Sequence, residues 1–129
     1  MSEYALHVSV ADLLTRFAAP AVLWWSTNNN GGGRMSIQAA ARLKRLGQRP
    51  GVPDFIILSP TLKNPFCALE LKSAKGRLSP AQTDFALAVK LMGCRYEIAR
   101  SIEEATDWLT EFGAIEAGRI TGVKRRDAA

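Results

Sequence analysis

A chain of 129 residues with 47% hydrophobic content suits one compact domain, long enough to bury about two-thirds of the surface that its unfolded form exposes. Apolar runs such as Ala18 to Trp25 fall short of the roughly 20 residues that span a bilayer, and no basic segment followed by an apolar one opens the chain, so neither a membrane span nor a secretion signal is expected. Seventeen Lys+Arg against twelve Asp+Glu give a formal charge of +5, which suits a polyanionic partner without requiring one.

Leu6, Val10, Leu13, Leu14 and Phe17 recur at helical spacing, predicting an amphipathic helix from about 3 to 18 that Pro20 stops, with Glu3 at the N-terminal end of the same stripe. Ala21 to Ser26 is a short strand candidate, followed by the Asn28 to Gly33 loop. Ile37 to Leu46 then reads as a helix closed by Gly47. Pro50-Gly51-Val52-Pro53 breaks the chain before a strand at 54–58, and the loop Ser59 to Pro65 leads to a second strand at 66–72. Ser79-Pro80-Ala81-Gln82 is a helix-capping sequence with proline at the first helical position, opening a helix from about 80 to 92 that stops at Gly93. Cys94 to Ala99 is a further strand candidate, and Ser101-Ile102-Glu103-Glu104 opens a last helix to Phe112, closed by Gly113. Residues 1–115 thus form one α/β domain, a small mixed sheet flanked by helices. Residues 116–129, with Lys124, Arg125 and Arg126 together and little apolar content, are expected to be a mobile basic tail.

Charge is unevenly distributed. Arg34, Arg42, Lys44, Arg45 and Arg49 occur without an intervening acid, and Lys72, Lys75 and Arg77 form a second basic group. The acids collect in Glu103, Glu104, Asp107 and Glu111. The basic groups are either phosphate contacts or solvated faces. Cys67 and Cys94 fall in apolar segments without metal-site or disulfide spacing, so both are read as reduced core residues.

The strand at 66–72 contains a carboxylate and an ammonium where a buried strand should have neither. Leu69 and Leu71 point to one face, and Ala68, Glu70 and Lys72 to the other. A hairpin with the strand at 54–58, centred on Leu62, sets Asp54 opposite Glu70, Ile56 opposite Ala68 and Leu58 opposite Phe66. Directly opposed side chains have Cβ atoms about 5 Å apart, so two carboxylates there call for a cation. Lys72 is one candidate and a divalent metal another. Such a set suits metal-assisted phosphodiester hydrolysis, while the plainer alternative is a polar edge with Asp54 capping a turn and Glu70 paired to Lys72.

Pro53-Asp54 followed by Glu70-Leu71-Lys72 resembles the signature of the PD-(D/E)XK nuclease superfamily. Gly51-Val52-Pro53-Asp54-Phe55, Leu69-Glu70-Leu71-Lys72, Gly76-Arg77-Leu78-Ser79-Pro80-Ala81-Gln82 and Gly93 resemble its VRR-NUC branch, in particular compact stand-alone members of phages and bacteria, from about Glu3 to Phe112. The resemblance implies a restriction-endonuclease-like core. It also implies Asp54, Glu70, Lys72 and Gln82 as catalytic residues, and Asp54, Glu70 and the Leu71 carbonyl around Mg²⁺ or Mn²⁺. Gln82 has a second reading, as the residue that closes the capping box on Ser79. Glu3 is the matching acid of the first helix, or else a frayed solvent residue.

His7, the single histidine, is either a phosphate contact or a packed or surface side chain. Trp24 and Trp25 alternate faces, one in the core and the other partly exposed. The expected partner is DNA, held by Arg34, Arg42, Arg45, Lys75 and Arg77. The resemblance further implies a homodimer acting on four-way (Holliday) junctions, in the bacterial cytoplasm or a phage-infected cell; Trp24 or Trp25 with Met35 and Ile37, apolar residues without an assigned place in the core, are the candidates for its contact patch. The rivals are a monomeric flap or single-strand nuclease and a basic DNA-binding module without cleavage.

Overall fold

The structure, a computed structural model, describes residues 1–28, 35–59 and 65–116. Among them, four helices and four strands follow in the order α1 (Glu3–Phe17), β1 (Trp24–Thr27), α2 (Ile37–Arg45), β2 (Phe55–Leu58), β3 (Phe66–Leu71), α3 (Pro80–Leu91), β4 (Arg95–Ala99) and α4 (Ile102–Phe112). Every helix starts on a serine: the hydroxyls of Ser2, Ser36, Ser79 and Ser101 accept the backbone N–H three residues on, satisfying donors that the first turn leaves open. All of the expected 116–129 tail beyond Glu116, and Arg34, lie outside the described residues.

The strands form one sheet in the order β1-β2-β3-β4. β1–β2 and β2–β3 are antiparallel, and β3–β4 is parallel, because α3 makes the crossover a parallel pair needs. The hairpin has the expected register: Ile56 faces Ala68 and Leu58 faces Phe66. β1 differs from expectation, starting at Trp24 and running to Thr27. Pro20 and Ala21 sit in a turn in which the Val22 N–H bonds the Ala19 carbonyl, and the Leu23 N–H is the first to reach β2, at the Leu58 carbonyl.

The two faces of the sheet are covered unequally. Leu6, Val10 and Leu14 of α1 and Ala105, Leu109 and Phe112 of α4 pack with Phe55, Ile57, Cys67, Leu69 and Leu71 in the larger core, each fully buried large side chain contributing roughly 1.5–3 kcal/mol. On the other face Ala86 and Val89 of α3 pack with Ala68 and Tyr96. Cys67 is buried and neither cysteine is in a disulfide; burial pushes the Cys67 thiol up to about 11, so it is inert as a nucleophile. α2 buries none of its residues. Among the described residues no helix is long and apolar enough to cross a membrane.

Candidate active site

The central strand β3 is buried from Cys67 to Leu71, as a strand covered on both faces must be. Glu70 is therefore forced into the interior, only 3% exposed. Burial, then the negative charge of Asp54, push its carboxyl up to about 7 against the opposing pull of Lys72. The two acids are cross-linked through the backbone: the Asp54 N–H donates to Glu70 Oε2 at 3.2 Å, and the Leu71 N–H donates to Asp54 Oδ2 at 2.8 Å. Facing positions are thus fixed by the hairpin itself.

α3 brings the third member from the opposite direction. Gln82 at its third position closes the capping box, its Oε1 accepting the Ser79 N–H at 2.8 Å. The same oxygen accepts the Lys72 ammonium at 3.0 Å, while Gln82 Nε2 donates to Glu70 Oε1 at 2.9 Å. Two donors on one atom and a carboxylate on the other fix which way the amide points. Lys72 also lies 3.6 Å from Glu70 Oε1. Cap and site contact are one and the same side chain, so the two readings of Gln82 are not alternatives.

α3 can approach because Gly51 has no side chain. Its φ is +96°, and a Cβ there would stand 2.5 Å from the Ala81 carbonyl oxygen. Behind the carboxylates, the Tyr96 hydroxyl is buried with no hydrogen-bond partner among the described residues. Burial and the charges of Glu70 and Asp54 push its pKa upward, so it stays neutral.

From the other layer, α1 contributes His7 and not Glu3. Glu3 is exposed in the first turn, off the buried stripe, and no hydrogen bond or ion pair joins it to Asp54 or Glu70. His7 packs its ring on Phe55, centroids 4.6 Å apart, with Nδ1 3.8 Å from Asp54 Oδ1 and Nε2 2.7 Å from Thr27 Oγ1. Among the described residues no three His, Cys, Asp or Glu side chains stand close enough together to hold an ion as placed. Asn28 borders the site, its N–H bonding the Asp54 carbonyl; Asn29 and Asn30 lie outside the described residues.

Lys75 and Arg77 are exposed on the segment leaving the site. Arg100 Nη1 holds that segment by the carbonyls of Ser73 at 2.8 Å and Gly76 at 2.6 Å. An open groove of about 1330 Å³ runs beside the site, lined by Asn28, Lys44, Arg49, Gly51, Ala81 and Phe85 among others. Arg42 and Arg45, exposed on α2, are not among its walls; Lys44 and Arg49 of the same basic run are. The helical period separates Lys44 from its two neighbours, a distinction that a count of cations does not make.

The VRR-NUC domain family matches residues 13–103. The chain belongs to that family. The match spans Asp54, Glu70, Lys72 and Gln82 and begins after Glu3 and His7. A solved structure of a VRR_NUC domain protein superposes with a TM-score of 0.65 over 87% of this chain and 88% of its own, at 19% identity, a likeness that shows the VRR-NUC fold. No curated protein matches the chain. Membership in VRR-NUC implies nuclease chemistry, with DNA as its substrate.

Proposed function

We propose that this protein is a metal-dependent DNA endonuclease of the PD-(D/E)XK type, cutting branched DNA such as four-way junctions as a homodimer. One observation carries the catalytic part: a nearly fully buried carboxylate, Glu70, faces Asp54 and is held by Lys72 and Gln82. Burying one acid beside a second, half-buried one with a single ammonium is costly, and a module that only bound phosphate would gain nothing from them. The plainer polar-edge alternative is disfavoured by the same burial.

The donor set fits a hard divalent cation. Asp54 and Glu70 supply carboxylate oxygens on neighbouring strands, and Leu71 lies between Glu70 and Lys72 to add its carbonyl. Mg²⁺ or Mn²⁺ held there supplies positive charge to the phosphate and to the attacking water. Lys72, 13% exposed at its side chain and fixed by Gln82, is placed to orient that water or to meet charge developing on the phosphate. Lys75 and Arg77 at the site's mouth, with Arg42 and Arg45 on α2, hold the backbone of the DNA.

Two copies are proposed because a symmetric cut across a branch needs two sites, which a two-fold dimer presents through one self-complementary patch. Trp24, Met35 and Ile37 are exposed apolar residues, Ile37 at 85%, whereas Trp25 packs against Phe55. Incubation with labelled duplex, flap and four-way junction DNA tests this, with Mg²⁺, Mn²⁺ or EDTA. Paired cuts in the junction with either metal, and none in EDTA, are expected. Undiminished cleavage in EDTA overturns the metal; a single chain's mass in light scattering, on and off junction DNA, overturns the dimer and favours flaps.

A further inference from the structure

Asp54 uses its two oxygens differently. Oδ2 accepts the Leu71 N–H at 2.8 Å. Oδ1 faces His7 Nδ1 at 3.8 Å. That separation is too long for a hydrogen bond. It falls instead within the roughly 3–4 Å between two atoms that ligate one ion from about 2.1 Å each.

The imidazole is held as a metal-ligating histidine needs to be. Nε2 meets Thr27 Oγ1 at 2.7 Å; with Nε2 protonated and donating, the Nδ1 lone pair is left pointing toward Asp54. A ring nitrogen opposite the metal that is fixed by a hydrogen bond sets both tautomer and orientation. The face of the ring lies on Phe55 at 4.6 Å, and the side chain is 12% exposed. Strands β1 and β2 therefore each contribute one contact that fixes this α1 side chain.

We propose that His7 Nδ1 is a ligand of the metal that Asp54 binds, the donor from α1 being this imidazole and not the Glu3 carboxylate. The inference rests on the metal-dependent reading above and adds to it a residue lying before the first position that the family match covers. Its consequence is selectivity. A site with one nitrogen among oxygens holds borderline Co²⁺ and the softer Cd²⁺ better than an all-oxygen site does, whereas Ca²⁺ gains nothing from the imidazole.

The chain has one histidine, so its ring is a unique reporter in the intact protein. Long-range proton–nitrogen correlation spectra are recorded on nitrogen-labelled protein during titration with Cd²⁺ enriched in a spin-active isotope. Splitting of Nδ1 by cadmium, with Nε2 still protonated, is expected. His7→Gln is expected to weaken Cd²⁺ at least about tenfold while leaving Ca²⁺ affinity within about twofold. Cd²⁺ that binds without perturbing Nδ1 overturns the proposal, as does equal Cd²⁺ affinity in His7→Gln. If EDTA-sensitive cleavage accompanies either result, only the role of His7 falls. Absence of Cd²⁺ binding together with EDTA-resistant cleavage overturns both His7 and the metal-dependent reading.

Discussion

Gln82 and Glu70 are joined by one hydrogen bond, Nε2 to Oε1 at 2.9 Å, and that bond connects the start of α3 to the middle of the sheet. The oxygen of the same amide accepts Ser79 N–H and Lys72 Nζ. Removing the side chain therefore has two effects of different kinds. Gln82→Ala is expected to cost about 1 kcal/mol of stability through the lost cap and to lower the cleavage rate by about 10- to 100-fold through a misplaced Lys72. Urea unfolding and single-turnover cleavage measure the two. A full loss of stability without a change in rate would confine Gln82 to the cap.

The Glu70 carboxyl, at about 7 in the folded protein against an ordinary 4.5, makes the metal-free protein acid-stabilised. Between those pH values the folded state keeps a proton that the unfolded chain has released. This contribution is complete below about pH 4.5 and is lost as pH rises through about 7, a difference on the order of 2–3 kcal/mol. Wild-type protein in EDTA should thus lose stability from pH 5.5 to 8.5 relative to Glu70→Gln, which has no proton to lose. Parallel pH profiles for the two proteins would show that Glu70 titrates normally. A divalent cation should restore the wild type at the alkaline end.

Asp54→Asn, Glu70→Gln and Lys72→Ala are each expected to reduce cleavage at least about a hundredfold while leaving DNA affinity within a few-fold, because they act on the reacting phosphate and not on its anchors. Ca²⁺ is expected to support DNA binding with little turnover, since its looser coordination activates water less well. Gel shifts in Ca²⁺ and cleavage in Mg²⁺ separate the two effects. Full activity in any one variant, at matched circular dichroism, removes that residue from the mechanism.

The local parts of this site were legible because they depend on spacing. A symmetric loop set the β2–β3 register, and with it Asp54 against Glu70; alternation put Ala68, Glu70 and Lys72 on one face; SPAQ set the start of α3. What failed is non-local. Glu3 looked like the inward acid, yet Val10 and Leu14 lie three and seven residues after His7, and that spacing is the signal that turns His7 toward the sheet. The partners that fix the ring, Thr27 and Phe55, come from strands that no periodicity brings together. Arg100 was silent for the same reason: its bonds reach back to Ser73 and Gly76 across a strand and a helix.

At Gly51 the turn that precedes β2 lies directly against the first turn of α3. Its φ of +96° is one that side chains rarely adopt, and its Cβ would press on the Ala81 carbonyl at 2.5 Å. Gly51→Ala is expected to destabilise the fold by about 2–4 kcal/mol, from left-handed strain plus displacement of backbone. Because Gln82 follows Ala81, activity should fall further than stability alone explains. Urea unfolding and cleavage at a temperature where the variant is folded check this; wild-type stability would mean that α3 has room to retreat.

Arg100 anchors the segment that carries Lys75 and Arg77, and it does so from outside the carboxylate cluster. One guanidinium nitrogen serves two carbonyls, of Ser73 and Gly76, and the Gly76 N–H returns to the Ser73 carbonyl to close the turn. Arg100→Met keeps the stem and removes both bonds. The turn should then sample other positions, and with it the two cations that meet the DNA backbone. Lys72 itself remains tied to Gln82 and Glu70, so the chemical step should be nearly unaffected. The expected result is a KM for DNA raised about three- to tenfold, with kcat within about twofold, the pattern of lost ground-state binding. Raising salt should narrow the gap between variant and wild type, because phosphate contacts weaken as counterions compete. A fall in kcat at unchanged KM would instead place Arg100 in support of Lys72 and the reacting phosphate.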